Sequence, residues 1–315
     1  MANQTSLSEF LLLELTEVRE LQILHFLVFL VLYLATVTGN LLIISAVTFD
    51  HRLHTPMYLF LMNLAIQDLG AISVIMPKSM ANSLFSTRHI SYLGCVAQVL
   101  LLILFLSSDI YLLTVMAYDR YVAICNPLQY EIVMNKQVCI KMIAGVWAAG
   151  LINGSLNAAG TFATPFCSNV VNQFFCEIPA VLKISCSDLN LPELGAIVFC
   201  AVIGLCCFVF VTITYVHIFT AVLRMPSAQG KQKAFSTCLP HLIVFSTFLF
   251  TATFAYLKPI PDAPSNLDLT FTVLYSMVPP MMNPLIYSIR NKEIQMSISK
   301  LLGLEYLSKN AFPGF

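Results

Sequence analysis

Seven stretches of the chain are apolar for long enough to cross a membrane as helices: residues 24–48, 57–80, 95–124, 139–162, 194–223, 234–257 and 269–289. A hydrocarbon core of about 30 Å needs roughly 20 apolar residues in a helix. Asn40, Asp68, Asp109 and Asn283 interrupt the apolar pattern within these spans. Pro77, Pro240, Pro279, Pro280 and Pro284 fall inside or at the ends of them. In lipid such prolines persist only where neighbouring helices satisfy the carbonyls they free. After the last span the pattern changes. Ile294, Ile298, Leu301 and Leu302 recur at helical spacing against Lys292, Glu293, Gln295 and Lys300. That alternation predicts a short amphipathic helix lying on a membrane surface.

Composition agrees with lipid as the solvent. Of 315 residues 58% are hydrophobic and only 10% are charged, against roughly 25% charged in a soluble domain. Such a chain cannot cover a water-facing surface. It is expected to fold as an all-α integral membrane bundle of seven helices. The expected division is 1–23 as amino terminus, 24–289 as the seven-span domain and 290–315 as a tail with the amphipathic helix. Basic and acidic residues balance, which gives no sign of a nucleic-acid partner. Residues 1–20 carry Glu9, Glu14, Glu17 and Glu20 and lack a basic start followed by an apolar run. The first span is therefore expected to act as its own insertion signal.

Basic residues set the expected orientation. With the amino terminus outside, eleven lysines and arginines fall on the inner side and five on the outer. The positive-inside rule favours that arrangement. Asn3-Gln4-Thr5 is then a glycosylation sequon outside the cell, whereas the triplet at Asn153 lies within the fourth span and is expected to stay unmodified. Of ten cysteines, Cys95, Cys167, Cys176 and Cys186 fall on the oxidising side. An even number there suggests two disulfides, with three pairings open. Cys125, Cys139, Cys200, Cys206, Cys207 and Cys238 are expected to be free thiols. Close cysteine pairs with histidine spacing, which would point to a metal, do not occur.

The third span ends in Met116-Ala117-Tyr118-Asp119-Arg120-Tyr121-Val122-Ala123-Ile124-Cys125. An adjacent acid and arginine at a membrane boundary need a partner or water. Asp119 is expected to hold Arg120 by a charge-assisted bond and to release it toward a cytoplasmic partner. Asp68 and Asp109 are acids in mid-membrane, which marks a functional site. They are expected to share a proton or hold a small cation, with Asn40 and Asn283 supplying oxygens.

Further strings recur in order along the chain: Gly39-Asn40, Leu53-His54-Thr55-Pro56-Met57-Tyr58, Asn126-Pro127-Leu128-Gln129-Tyr130, Lys233-Ala234-Phe235-Ser236-Thr237-Cys238, and Pro279-Pro280-Met281-Met282-Asn283-Pro284-Leu285-Ile286-Tyr287-Ser288-Ile289-Arg290-Asn291-Lys292. Together with the third-span string they resemble the odorant (olfactory) receptors, a branch of the rhodopsin-like G-protein-coupled receptors, from end to end. The resemblance implies disulfides Cys95–Cys176 and Cys167–Cys186. It implies a switch of Asp119, Arg120, Tyr121, Tyr215, Asn283, Pro284 and Tyr287, and a resting-state sodium site at Asp68 and Asp109. It also implies a stimulatory, cAMP-raising G protein of olfactory neurons, and delivery to the plasma membrane of their cilia. The chain departs from the pattern at Pro240, where serine is usual, at Leu249, where an aromatic is common, and at Thr214 and Asp109, where the chemistry is kept. Pro240 and Leu249 place the activation geometry of the sixth span in question.

A ligand is expected between spans three, five, six and seven. The expected lining is Leu102, Ile103, Leu106, Ser107, Phe199, Ile203, Ala252, Thr253, Tyr256, Val273 and Ser276. Residues 102, 103, 106 and 107 fall on one helical face. An apolar lining with few hydroxyls suits a small, neutral, hydrophobic volatile. Leu102 stands where an amine receptor would carry a counter-ion. A non-odorant rhodopsin-like receptor is the nearest alternative, disfavoured by the Lys233–Cys238 string and the three-cysteine outer loop. A transporter would show inverted repeats with broken helices, a channel a ring of charges or carbonyls. An enzyme would show a nucleophile–base pair or a metal-ligand set. None of these is seen in the sequence.

Overall fold

The computed structural model describes residues 8–14, 16, 18–186, 191–257 and 266–303, without the side chains at 191–194, 197, 233, 251–257, 266–271, 274–275 and 288–290. The elements run β1 (Glu9–Leu12), α1 (Arg19–Phe49), α2 (Pro56–Phe85), β2 (His89–Ser91), α3 (Tyr92–Cys125), α4 (Tyr130–Val133), α5 (Lys136–Phe162), β3 (Val170–Val171), α6 (Ile178–Leu182), α7 (Leu191–Arg224), α8 (Ala228–Leu257), α9 (Asn266–Arg290) and α10 (Lys292–Leu301).

The seven long helices are α1, α2, α3, α5, α7, α8 and α9. The first six of them each hold a stretch long and apolar enough to cross a membrane. All seven overlap the expected spans, but most run several residues past the expected edges. The 31 residues of α1 extend roughly 46 Å at 1.5 Å per residue, well beyond the hydrocarbon core. An apolar run marks only the buried middle of a membrane helix. Its polar turns continue into the interface and are fixed by caps. The Ser91 hydroxyl accepts from Gly94 N at 3.1 Å to start α3. The Asn135 carbonyl accepts from Val138 N at 3.0 Å to start α5. Pro56 opens α2 where its missing N–H costs nothing. Ser86, with φ of 54°, turns the chain out of α2.

Burial separates the helices by their solvent. Along its most apolar stretch α2 is 61% buried and α7 only 17%. The central helices thus face protein, while α7 presents Leu205 and Val216 outward, as a lipid-facing helix must. The internal prolines Pro77, Pro240, Pro279, Pro280 and Pro284 sit within continuous helices.

A three-stranded sheet in the order β2-β1-β3 lies beside the start of α3. The β1 strand pairs antiparallel with β2 (Phe10 with Ile90) and parallel with β3 (Leu12 with Val171). Phe10 and Leu12 are completely buried while Glu9 is exposed, the alternation of a strand with one wet face. Phe10 meets Tyr92, Phe162 and Phe166. The segment expected only as an amino-terminal extension is therefore docked onto the bundle. Its short strand was illegible in the sequence because Phe10-Leu11-Leu12-Leu13 is uniformly apolar and lacks the period-2 signal.

The amphipathic helix forms as α10. Ile294 is completely buried against the bundle, and Met296, Leu301 and Leu302 are exposed. Asn153 is buried in α5, where Asn157 donates to its side-chain oxygen at 3.0 Å. Asn3 lies outside the described residues.

Candidate functional site

The buried acids sit on adjacent helices, Asp68 on α2 and Asp109 on α3, with exposures of 0% and 2%. Asn283 of α9 donates its amide nitrogen to both Asp68 oxygens, at 3.1 and 3.0 Å. Asn40 of α1 donates to Thr36 O at 3.0 Å and to Pro280 O at 3.2 Å. The second of these bonds takes up a carbonyl in the proline-rich part of α9. Asp109 lies within electrostatic reach of Asp68. The side-chain oxygens Asn40 Oδ1, Asp109 Oδ1 and Asn283 Oδ1 are buried and accept no hydrogen bond among the described residues. A buried acceptor needs a donor or a cation. Carboxylate and amide oxygens are the ligand type a small hard cation such as sodium takes, and a proton on Asp109 would offset its buried charge in the other way. Groups of three or more His, Cys, Asp or Glu able to hold a metal do not occur among the described residues.

At the far end of α3 the expected pairing is corrected. Asp119 does not form an ion pair with Arg120 among the described residues. Its Oδ1 accepts instead from the Tyr130 hydroxyl at 2.8 Å. Tyr130 begins α4, and burial, then the Asp119 charge, pushes its phenol far above the usual tyrosine range. Arg120, 4% exposed, turns the other way and donates through Nη1 to Thr237 O of α8. Adjacent residues on a helix diverge by about 100°, so Asp119 faces the loop while Arg120 faces α8. Arg120 Nε has no partner among the described residues. Tyr287 is buried within electrostatic reach of Arg120. Tyr121 packs near Tyr118 and His217. Pro284 touches the first helix, since a Cβ added at Gly39 would lie 3.2 Å from its ring.

One residue was missed as a functional candidate. His241 of α8 is completely buried. Its Nε2 is 2.8 Å from Leu113 O on α3, and its Nδ1 is 2.8 Å from the Tyr215 hydroxyl on α7. A carbonyl only accepts, so Nε2 carries the proton and Tyr215 donates to Nδ1. Three helices are thereby joined through one neutral imidazole. A histidine in an apolar helix was the available signal; its partners, 26 and 128 residues away, were not. Pro240 lies in the interior of α8 beside it. Leu249 packs against the core cluster that contains Tyr215 and Tyr287.

The opposite end of the bundle is cross-linked by Cys95–Cys176 and Cys167–Cys186. Gln98 supports the first bridge, its Oε1 accepting from Cys176 N at 2.7 Å. Cys125, Cys139, Cys200, Cys206, Cys207 and Cys238 are free thiols. Below the disulfides, Leu102 and Leu106 of α3, Val273 of α9 and the loop residues Phe174 and Phe175 form one apolar cluster. Ile103 points away from it and packs with Val99 and Cys176 in a neighbouring cluster. Ser107 and Ser276 are buried and donate to carbonyls of their own helices, Ile103 O and Thr272 O. On α7, Ile203 is half-buried and Phe199 is exposed. The side chains of Ala252, Thr253 and Tyr256 lie outside the described residues. Of the expected lining, Leu102, Leu106 and Val273 are brought together.

With this geometry in place, three comparisons bear on the chain. The family model described as "Olfactory receptor" matches residues 29–305. Human (Homo sapiens) olfactory receptor 14A16 is 47% identical over 303 residues, covering 96% of this chain and 98% of that protein. Human olfactory receptor 14K1 is 48% identical over 307 residues, covering 96% of each. Among solved structures, squid rhodopsin superposes with a TM-score of 0.73 at 16% identity, covering 90% of this chain and 81% of that one. That likeness shows the seven-helix fold.

Proposed function

Because the chain belongs to the olfactory receptor family, we propose that it binds a small, neutral, hydrophobic volatile in the disulfide-bearing half of the bundle and activates a stimulatory, cAMP-raising heterotrimeric G protein at the other end. The family is one of receptors, and the protein is a multi-pass membrane receptor rather than an enzyme. The observation that carries the ligand class is the cluster of Leu102, Leu106 and Val273 under Phe174 and Phe175. Its nearby hydroxyls, on Ser107 and Ser276, already bond their own helices. Such surroundings reward apolar contact area and offer no counter-charge to an ammonium group.

The amino terminus is extracellular in this reading. The excess of lysine and arginine on the opposite side and two disulfides on the amino-terminal side both support it. The working location is the plasma membrane of olfactory neuron cilia, with lipid as the surrounding solvent. Ligand binding favours the bundle state in which α8 moves away from α3 at the Arg120 end. The Arg120–Thr237 and His241–Leu113 bonds are two α3–α8 ties that such a movement must break. Asp119, Tyr121, Tyr215, Asn283, Pro284 and Tyr287 complete the switch. Asp68, Asp109, Asn40 and Asn283 would hold sodium in the resting receptor, and the ion would balance the buried carboxylate charge.

A chemically diverse panel of volatiles, applied to cells expressing the receptor with cAMP as readout, tests the proposal. A concentration-dependent rise to at least one neutral apolar compound is expected. A response confined to charged amines, or an even number of membrane crossings, would overturn it.

A further inference from the structure

We infer that Tyr58 is a positioning residue that clamps α10 to the start of α2 and holds the α9–α10 junction in its resting place. The role in signalling rests on the coupling proposed above; the clamp itself does not.

Tyr58 belongs to the Leu53–Tyr58 string that none of the ligand, polar-core or switch residues explains. It is 4% exposed, in the first turn of α2. Its hydroxyl donates to Glu293 Oε2 at 2.5 Å and accepts from Asn291 Nδ2 at 3.1 Å. Asn291 in turn caps α10, its Oδ1 accepting from Glu293 N at 3.0 Å and Ile294 N at 3.2 Å. Every hydrogen-bonding group of the Asn291 side chain is thus engaged, and the phenol uses both its donor and an acceptor site. The charged acceptor makes the Tyr58–Glu293 bond the strongest of the set. Directly beneath, Ile294 is completely buried, seating the first turn of α10.

Asn291 is also the joint between two helices. Its N–H donates to Tyr287 O at 3.2 Å, at the end of α9. Displacement of Tyr287 therefore pulls on Asn291, and Asn291 pulls on Tyr58. A phenylalanine would fill the same space without resisting that pull. The geometry makes the phenol a restraint on the switch end of α9, so loosening it lowers the barrier to the active arrangement.

The test uses the full chain in nanodiscs and in cells. Tyr58→Phe should raise amide exchange across 291–295 roughly tenfold or more, as expected when the charge-assisted bond to Glu293 and the bond from Asn291 are both lost. It should also raise basal cAMP per surface receptor by about twofold or more. Glu293→Gln keeps an oxygen for the phenol but not its charge, and should fall between wild type and Tyr58→Phe. Glu293→Leu, at an exposed position, should approach Tyr58→Phe and replaces it if that variant folds poorly. Unchanged exchange in both disrupting variants overturns the clamp. Faster exchange with basal output unchanged or lower, in a receptor whose wild type responds to a volatile, overturns its restraining role. A wild type that raises cAMP to no volatile tells against stimulatory coupling, and the clamp then stands or falls on exchange alone.

Discussion

Asn283 spans the two oxygens of Asp68 with a single amide nitrogen, at 3.1 and 3.0 Å, and so ties α9 to α2 across 215 residues of chain. The bond joins the proline-containing part of α9 to α2, whose most apolar stretch is 61% buried. A carboxylate suits this place because both its oxygens accept. An amide at the same position offers only one acceptor and turns a donor toward a donor.

Asp68→Asn should therefore weaken signalling while leaving surface delivery largely intact. A right shift follows if the bond is kept in the active bundle, where losing about 1.5–3 kcal/mol of charge-assisted bonding raises the concentration of volatile needed roughly tenfold or more; a bond made only in the resting bundle would shift the curve to the left. Concentration–response curves normalised to surface staining give the answer. Wild-type potency and amplitude in the variant would remove Asp68 from the switch.

Tyr215→Phe isolates the three-helix tie. The ring keeps its stacking on His241, whose centroid lies 5.7 Å away, and only the donor to Nδ1 is lost. A buried acceptor left open costs about 1–3 kcal/mol. The unfolding midpoint of the purified receptor should fall by a few degrees, followed through reaction of its free thiols with a fluorogenic maleimide. Asp119 and Tyr130, at the same end but outside this tie, serve as a control pair: adding Tyr130→Phe should lower the midpoint additively. Strong non-additivity would mean that the two networks are one.

The sequence exposes some of these relationships and hides others for physical reasons. Lipid imposes long apolar runs, so the helices are legible. Acids in mid-membrane are rare, so Asp68 and Asp109 stand out. The partner of a polar group is another matter. Asp119 was expected to bind its neighbour Arg120, yet side chains one position apart on a helix diverge, and the partner came from Tyr130 at the start of α4. Ile103 was expected beside Leu102, and the same divergence sends it to another cluster. His241 is satisfied by a backbone carbonyl, which no residue pattern encodes. The disulfide pairing came from resemblance alone, since four cysteines on one side permit three solutions.

The two disulfides should differ in weight. Cys95–Cys176 closes a loop with a sequence separation of 81, Cys167–Cys186 one of 19. Loop-closure entropy gives about 4–5 kcal/mol for the first and about 3 kcal/mol for the second. Replacing both cysteines of a pair by serine avoids a stray thiol. The Cys95/Cys176 pair should reduce surface expression more than the Cys167/Cys186 pair, by flow cytometry on intact cells. The reverse order would show that local support of the second loop outweighs chain entropy.

Two glycines on α5 should respond to alanine in opposite directions. Glycine within a helix costs about 1 kcal/mol relative to alanine, so propensity alone predicts a gain at both Gly145 and Gly154. At Gly145 a new Cβ would meet nothing within 4 Å, and the gain should be realised. At Gly154 the Cβ would lie 2.6 Å from Leu100 O and 3.2 Å from Leu104 N. Both are backbone atoms of α3, which cannot rotate aside as a side chain would. The helices must separate, at a cost of about 1–3 kcal/mol that outweighs the propensity gain. Gly154→Ala should lower both the unfolding midpoint and the surface level, while Gly145→Ala leaves them equal to wild type or higher. A Gly154→Ala receptor as stable as its parent would mean that α3 and α5 do not approach this closely in the membrane.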